Sequence, residues 1–424
     1  MNRREFFKSS ILSMTAYSVP AAAPFLPWMK AFAQPLAGEP RFFIFVSMPG
    51  GADVTLGLDP WTGNSFGYAG TRPAESDMFI EYSDGEVVRP DGTGIYLGPA
   101  AAPLAPYAKR MTVFNGIVVS PSETGHTSAG YYMASGSSNP SQAEIAVELG
   151  HSLRRGAFGV LSSYGARLGN RRLPVTSISQ LLNIRNLISN GFDFSGAGGE
   201  RGRAQDELVA NQQELQNFAA SLEGASNGYD LDSSARAIAM TFKFGLSYQA
   251  SVFASANLDS HVQHKGVHLQ SQKAAFESVA RLLKVLSETE FRDRSLLDCT
   301  TVMVTSEFSR TPNLVGTDGK DHNPRTNSAV VIGRGFETGK TIGASTLVGR
   351  ARSQDPQKLP IHVGAAIRNE TLAPAASADE VANKQAFYLR PDSIAKTILE
   401  ISGVPKEKMT QIPASVPSLA FALK

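Results

Sequence analysis

The chain has almost no cysteine: one residue, Cys299, in 424. That excludes an internal disulfide and any multi-thiolate metal cluster. Cys299 stands where an apolar run begins, and a small buried apolar residue is its expected role. Net charge is equally sparse at +2, so there is no large electrostatic drive toward nucleic acid or anionic lipid. Past the N-terminal segment no apolar run reaches the length of a membrane span. No internal repeat of fixed period and no linker between independent folding units is visible. What is present is 42% hydrophobic residues, enough over this length for a full core.

The N-terminal segment reads as an address. Asn2-Arg3-Arg4-Glu5-Phe6-Phe7-Lys8 carries twin arginines, a weakly apolar stretch runs from Ile11 to Trp28, and Ala31-Phe32-Ala33 gives a small-x-small cleavage pattern. Pro20, Pro24 and Pro27 argue against a permanent transmembrane helix. We therefore expect residues 1–33 to be a twin-arginine signal peptide, with the twin-arginine translocase as a transient partner. Residues 34–424 are expected to form one domain, periplasmic or secreted.

Four apolar runs read as buried strands: 41–48, 111–117, 249–256 and 300–304, with shorter ones at 175–179 and 329–333. Helical patterns cover 124–135, 141–149, 157–168, 206–222, 233–248, 268–287 and 390–402. The clearest, 268–287, places Leu269, Phe276, Val279, Leu282, Leu283 and Leu286 on one face. Residues 59–95 read as long loops, and the glycine-rich 191–202 as a surface loop. Alternation of strands and helices predicts a three-layer α/β/α sandwich around a mostly parallel sheet.

Ligands of open α/β sheets bind at the carboxyl ends of strands. Three such ends carry hard oxygen and imidazole donors. Asp53 follows the first strand through Pro49-Gly50-Gly51, Asp259 and His261 follow the run to Ala256, and Glu307 follows Val304. Asp321 and His322 come shortly after, on a loop. Carboxylate oxygens and imidazole nitrogens bind divalent cations such as Zn²⁺, and two ions can clamp a phosphoryl displacement. Each residue also has a structural alternative. Asp53 suits a turn, Asp259 a helix N-cap, Asp321 an orienting role beside His322, and Glu307 a salt bridge with Arg310. His264 and His268 have ligand-like spacing but read as solvated first-turn residues. His151 and His362 have no acidic or imidazole neighbour. Gly339-Lys340-Thr341 resembles the end of a phosphate-binding loop, but Arg334 stands where its first glycine belongs.

Gly50-Gly51-Ala52-Asp53, Leu258-Asp259-Ser260-His261, Ser306-Glu307-Phe308-Ser309-Arg310-Thr311-Pro312 and Asp321-His322 resemble, in that order, the motifs G-G-x-D, W-D-T-H, S-E-F-G-R-T-P and D-H-G. These belong to a largely uncharacterised, twin-arginine-exported bacterial family placed in the alkaline phosphatase/sulfatase-like superfamily. The resemblance spans roughly residues 41–403. It implies an alkaline phosphatase-like fold and one or two divalent ions, zinc by preference. Its ligands would be Asp53, Asp259, His261, Glu307 and His322, with Asp321 beside them. Departures surround these positions: Leu258 for tryptophan, Ser260 for threonine, and Ser309 and Asn323 for glycines.

The resemblance places the nucleophile segment at Gly125-His126-Thr127-Ser128. His126 falls at the nucleophile position and can be ligand, nucleophile or acid, while Thr127 can supply the attacking hydroxyl. Arg310 or Arg325 is available to bind an anionic group, or is a surface cation. The implied activity is hydrolysis of a phosphate or sulfate ester, an anionic substrate. The alternative is a non-catalytic exported binding or scaffold protein that keeps the fold.

Overall fold

The computed structural model describes residues 40–61, 78–119, 125–135, 160–162, 175–178, 181–182, 185, 212–223, 225, 231–348, 361–375, 377–409 and 412–423. The expected signal peptide, the helix at 141–149, residue His151 and the glycine-rich loop 191–202 lie outside these residues.

An eight-stranded sheet runs through the molecule. Its strands are β1 (Phe42–Ser47), β2 (Met111–Asn115), β3 (Val160–Ser162), β4 (Val175–Ser177), β5 (Gln249–Phe253), β6 (Thr300–Thr305), β7 (Ser328–Gly333) and β8 (Lys340–Gly343). Their spatial order is β8-β2-β7-β6-β1-β5-β3-β4. Every adjacent pair is parallel except those made by β7, which runs against both β2 and β6. β1 lies centrally, with Phe43 opposite Thr301 on one side and Gln249 on the other.

The continuous apolar run of β1 is explained by layers on both faces. Phe42, Ile44 and Val46 join one core with Ala235, Ile238 and Phe242 of helix α3 (Leu231–Lys243). Helix α4 (His268–Glu288) adds Phe276, Val279, Leu282, Leu283 and Leu286 to the same core. Each of those five side chains, fully buried, contributes roughly 1.5–3 kcal/mol. Phe43 and Phe45 point the other way, into a core with Ala129 and Met133 of α1 (His126–Ser135) and Ile394 and Ile398 of α5 (Pro391–Ile401). A further helix, α2 (Gln212–Ser221), packs on α3. The period of two along β1 therefore divides the apolar side chains between two cores, which makes a three-layer α/β/α architecture.

One reading is corrected. The expected helix 157–168 contains strand β3 at Val160–Ser162, where pairing with β5 and β4 overrides local helical pattern. The glycine-lysine-threonine segment at 339–341, already set aside as a phosphate-binding loop, runs into edge strand β8, paired with β2.

The reversal of β7 decides where the site lies. β6, β1, β5 and β2 all end at one sheet edge, and β7 starts from that edge. The whole excursion from Ser306 to Asn327 therefore leaves and returns on the same side. Within it, Ser309–Arg310 and His322–Asn323 form a short antiparallel ribbon, with His322 opposite Arg310.

Candidate metal centre

Glycine lets the β1 turn press against its neighbours. Gly50 has φ +104°, and a Cβ there would stand 2.1 Å from the Asp259 amide nitrogen. No side chain fits, so the turn after β1 and the loop after β5 are locked together. Ser306 ties in the loop after β6. Its hydroxyl accepts from the Ala52 amide at 2.8 Å and donates to the Phe308 carbonyl at 2.8 Å.

Arg310 fixes the same junction from beneath. Its side chain is fully buried. Nε donates to the Gly51 carbonyl at 3.2 Å, Nη1 to Lys320 at 3.0 Å, and Nη2 to Leu258 at 3.2 Å and to the Gly50 carbonyl. Nη2 also meets Asp259 Oδ1 at 2.8 Å. Partial burial raises the Asp259 pKa, but Arg310 outweighs it and holds the carboxyl below its ordinary value. The sequence allowed Arg310 to be an anion-binding group or a surface cation. The structure gives it neither position, because the guanidinium fork is spent on carbonyls and one carboxylate.

Above this floor four donors converge. Ligand atoms of His126, Asp259, His261 and His322 all lie within 4.8 Å of one another. His261 Nε2 is 2.9 Å from His322 Nε2 and 3.5 Å from Asp259 Oδ1. The His126 and His322 rings meet edge to face at 4.4 Å between centroids, and Phe308 backs His322 at 4.2 Å. A tetrahedral zinc shell with bonds of about 2.0–2.1 Å places neighbouring donors about 3.4 Å apart. Three imidazoles and a carboxylate at these separations fit a divalent ion.

One carboxylate orients a ring, and a second stands close to another. Glu307 Oε1 lies 2.6 Å from His126 Nδ1 and accepts from the Gly50 amide at 2.7 Å. With Nδ1–H committed there, Nε2 is the nitrogen of His126 left to ligate. Asp321 Oδ1 stands 3.4 Å from His261 Nδ1, and accepts from the His322 amide at 2.8 Å. Glu307 and Asp321 thus touch imidazoles of the cluster, and Glu307 pairs with His126, not with Arg310 as its structural alternative had it.

Asp53 stands apart from the four. It is buried, and its oxygens meet Lys320 Nζ at 2.6 Å, His264 Nε2 at 3.3 Å, and the Thr55 amide and hydroxyl at 3.0 and 2.7 Å. Burial pushes its pKa up, but Lys320 and His264 outweigh this and leave it well below the usual range. Thr127 is exposed in the first turn of α1, directly after His126.

His264 and His268 are buried, against the expectation of solvated residues. Their rings stack at 4.2 Å, and the Ser260 hydroxyl sits 2.8 and 2.9 Å from their Nδ1 atoms. One hydroxyl proton serves only one ring, so the other donates its own Nδ1–H to Ser260. Desolvation drives the His268 pKa down to about 3, so this ring is neutral near pH 7. The signal was present in the sequence: His268, Gln272, Phe276 and Val279 continue one helical face inward. His362 also gains partners that its neighbours in sequence did not suggest. Its Nε2 is 2.5 Å from the Ser345 hydroxyl, which in turn donates to Asp59.

Residues 235–368 match the family described as Protein of unknown function (DUF1501), a span that includes Asp259, His261, Glu307, Arg310, Asp321 and His322. No curated protein matches the chain in sequence. Among solved structures, one similar in outline is a protein in the alkaline phosphatase superfamily from Vibrio parahaemolyticus. It has a TM-score of 0.35 and 8% identity, with 91% of this chain and 97% of that chain covered. Alkaline phosphatase from the Antarctic bacterium TAB5 aligns with a TM-score of 0.32 and 12% identity over 72% of this chain and 94% of that one. A putative sulfatase from Bacteroides thetaiotaomicron VPI-5482 gives 0.29 and 12% over 91% and 74%. At such scores the chemistry rests on the site's own geometry.

Proposed function

We propose that this chain is an exported, metal-dependent hydrolase of phosphate or sulfate esters. The observation that carries the reading is the convergence of His126, Asp259, His261 and His322 at the carboxyl edge of a mostly parallel sheet. These four would hold the ion. When bound, a divalent ion of the zinc type supplies Lewis acidity toward a phosphoryl or sulfuryl oxygen.

The protein's own groups prepare the rest. Glu307 fixes the His126 ring, Asp321 holds the His322 amide, Arg310 fixes the Asp259 carboxylate, and Phe308 backs the His322 ring. Thr127 follows His126 in the first turn of α1, with its side chain exposed. There the backbone N–H groups and helix dipole favour an anion. In this reading the anionic ester lies over that turn and Thr127 is the attacking group. Residues 1–33 would route the folded protein through the twin-arginine translocase.

One observation favours a second reading, a binding protein without turnover. Four protein donors suffice to close a tetrahedral shell, as structural zinc sites do, and leave no open position.

Metal analysis of protein purified without chelator separates these outcomes. His261→Ala and Asp259→Asn should each lose bound ion, and unchanged metal content would refute the site. A panel of aryl phosphate mono- and diesters and aryl sulfates then reads turnover, with Thr127→Val expected to lower kcat at least a hundredfold. Fully loaded protein that is inert across the panel is the binding protein.

A further inference from the structure

We infer that the centre takes one divalent ion, because Lys320 supplies the charge that a second ion at Asp53 would carry. The inference rests on the metal reading above and specifies its stoichiometry.

Asp53 was the natural anchor for a second ion. A carboxylate offers about four lone-pair directions; three accept hydrogen bonds, and the His264 ring stands against the fourth. Oδ1 accepts from the Thr55 amide at 3.0 Å and the Thr55 hydroxyl at 2.7 Å. Oδ2 faces Lys320 Nζ at 2.6 Å and His264 Nε2 at 3.3 Å. Both ionic side chains are at most 3% exposed. The Lys320 ammonium is itself held, donating to the Phe79 carbonyl at 3.1 Å and lying 5.7 Å over the Phe79 ring. A cation at this carboxylate would have to displace a buried ammonium.

Of the carboxylates that the sequence offers to the centre, Asp53 and Asp259 each meet a buried cation, Lys320 and Arg310.

The two sites are joined mechanically. Ser260 lies between Asp259 and His261 and hydrogen-bonds both rings of the His264–His268 stack. The Asp53 amide donates to Gln272 Oε1 at 2.9 Å and approaches His268 Nε2 at 3.2 Å. These joints run through the Asp53 main chain, so the carboxylate–ammonium pair itself stays outside the ligand set.

The test is metal stoichiometry. Wild-type protein is titrated with Zn²⁺ and followed by calorimetry, with elemental analysis after desalting. Zinc-soaked crystals give an independent count of anomalous peaks. One ion per chain is expected. The double variant Asp53→Asn/Lys320→Gln removes both charges together and should still hold one ion, with Kd within threefold of wild type. His261→Ala should weaken Kd at least tenfold. Two ions in the wild type, or a Kd weakened tenfold or more in the double variant, overturns the inference while leaving the metal reading intact. No ion in the wild type overturns both. The wild-type count decides the matter even where the double variant fails to fold.

Discussion

Replacing Glu307 by Gln probes the centre with little change in shape. In the wild type, Oε1 accepts from the Gly50 amide at 2.7 Å and lies 2.6 Å from His126 Nδ1. The glutamine carbonyl can occupy the same point and keep both contacts, so only the charge is lost. Charge-assisted hydrogen bonds contribute about 1.5–3 kcal/mol and neutral ones about 0.5–1.5, a difference near 1 kcal/mol per bond. The Gly50 bond lies outside the ligand set, so its weakening lowers stability alone. The His126 bond sets the tautomer and basicity of a ligating ring, and its weakening should reduce zinc affinity by about tenfold, within the ten- to hundredfold range of such orienting groups. Competition against a chromophoric chelator measures the affinity, and thermal melting of the metal-free protein measures the stability term. Affinity within twofold of wild type would refute the orienting role. Loss as complete as in His261→Ala would instead make Glu307 a ligand, as the sequence resemblance implied.

Gly50→Ala should destabilise by about 3 kcal/mol or more, since φ +104° and a Cβ 2.1 Å from the Asp259 nitrogen force backbone apart; a melting temperature within about 2 °C of wild type would contradict this. Arg310→Lys keeps the charge but loses the fork that spans the carbonyls of Gly50, Gly51, Leu258 and Lys320. Zinc affinity should fall at least tenfold as Asp259 is released, and calorimetry unchanged from wild type would refute it. Burial pushes the Asp59 pKa up to about 6 and that of His362 down to about 4. Folded Asp59 keeps a proton that the unfolded chain releases, so its contribution to stability is lost as pH rises through about 6. Neutral His362 contributes stability above the ordinary histidine range that is lost as pH falls toward 4. The two oppose, so Asp59→Asn should lose stability relative to wild type, and His362→Gln gain it, as pH falls from 7 to 4.5. Each change should be on the order of 2–3 kcal/mol by urea denaturation, and curves parallel to wild type would refute the assignment.

Strands β1, β2, β5, β6 and β7 and helices α1, α4 and α5 were legible in the chain because apolar period and run length are local properties. The carboxyl-edge address of Asp259, Glu307 and the glycine turn followed from the same pattern. The three-residue strand β3 and edge strand β8 were not legible, since each exists by pairing with a partner distant in sequence. Within the site, residue type nominated the donors but could not rank them. Asp53 and Asp259 look alike as acidic residues after strands, yet Lys320 is 267 positions from one and Arg310 51 from the other. Only the folded chain brings those cations in, burying one carboxylate in a closed pair and leaving the other half-exposed beside three imidazoles. The sequence alone thus determined which elements form and which groups stand at the sheet edge. Tertiary structure decided which charges are already neutralised and which remain to bind, because Coulomb energy and desolvation depend on distances through space that no local pattern encodes.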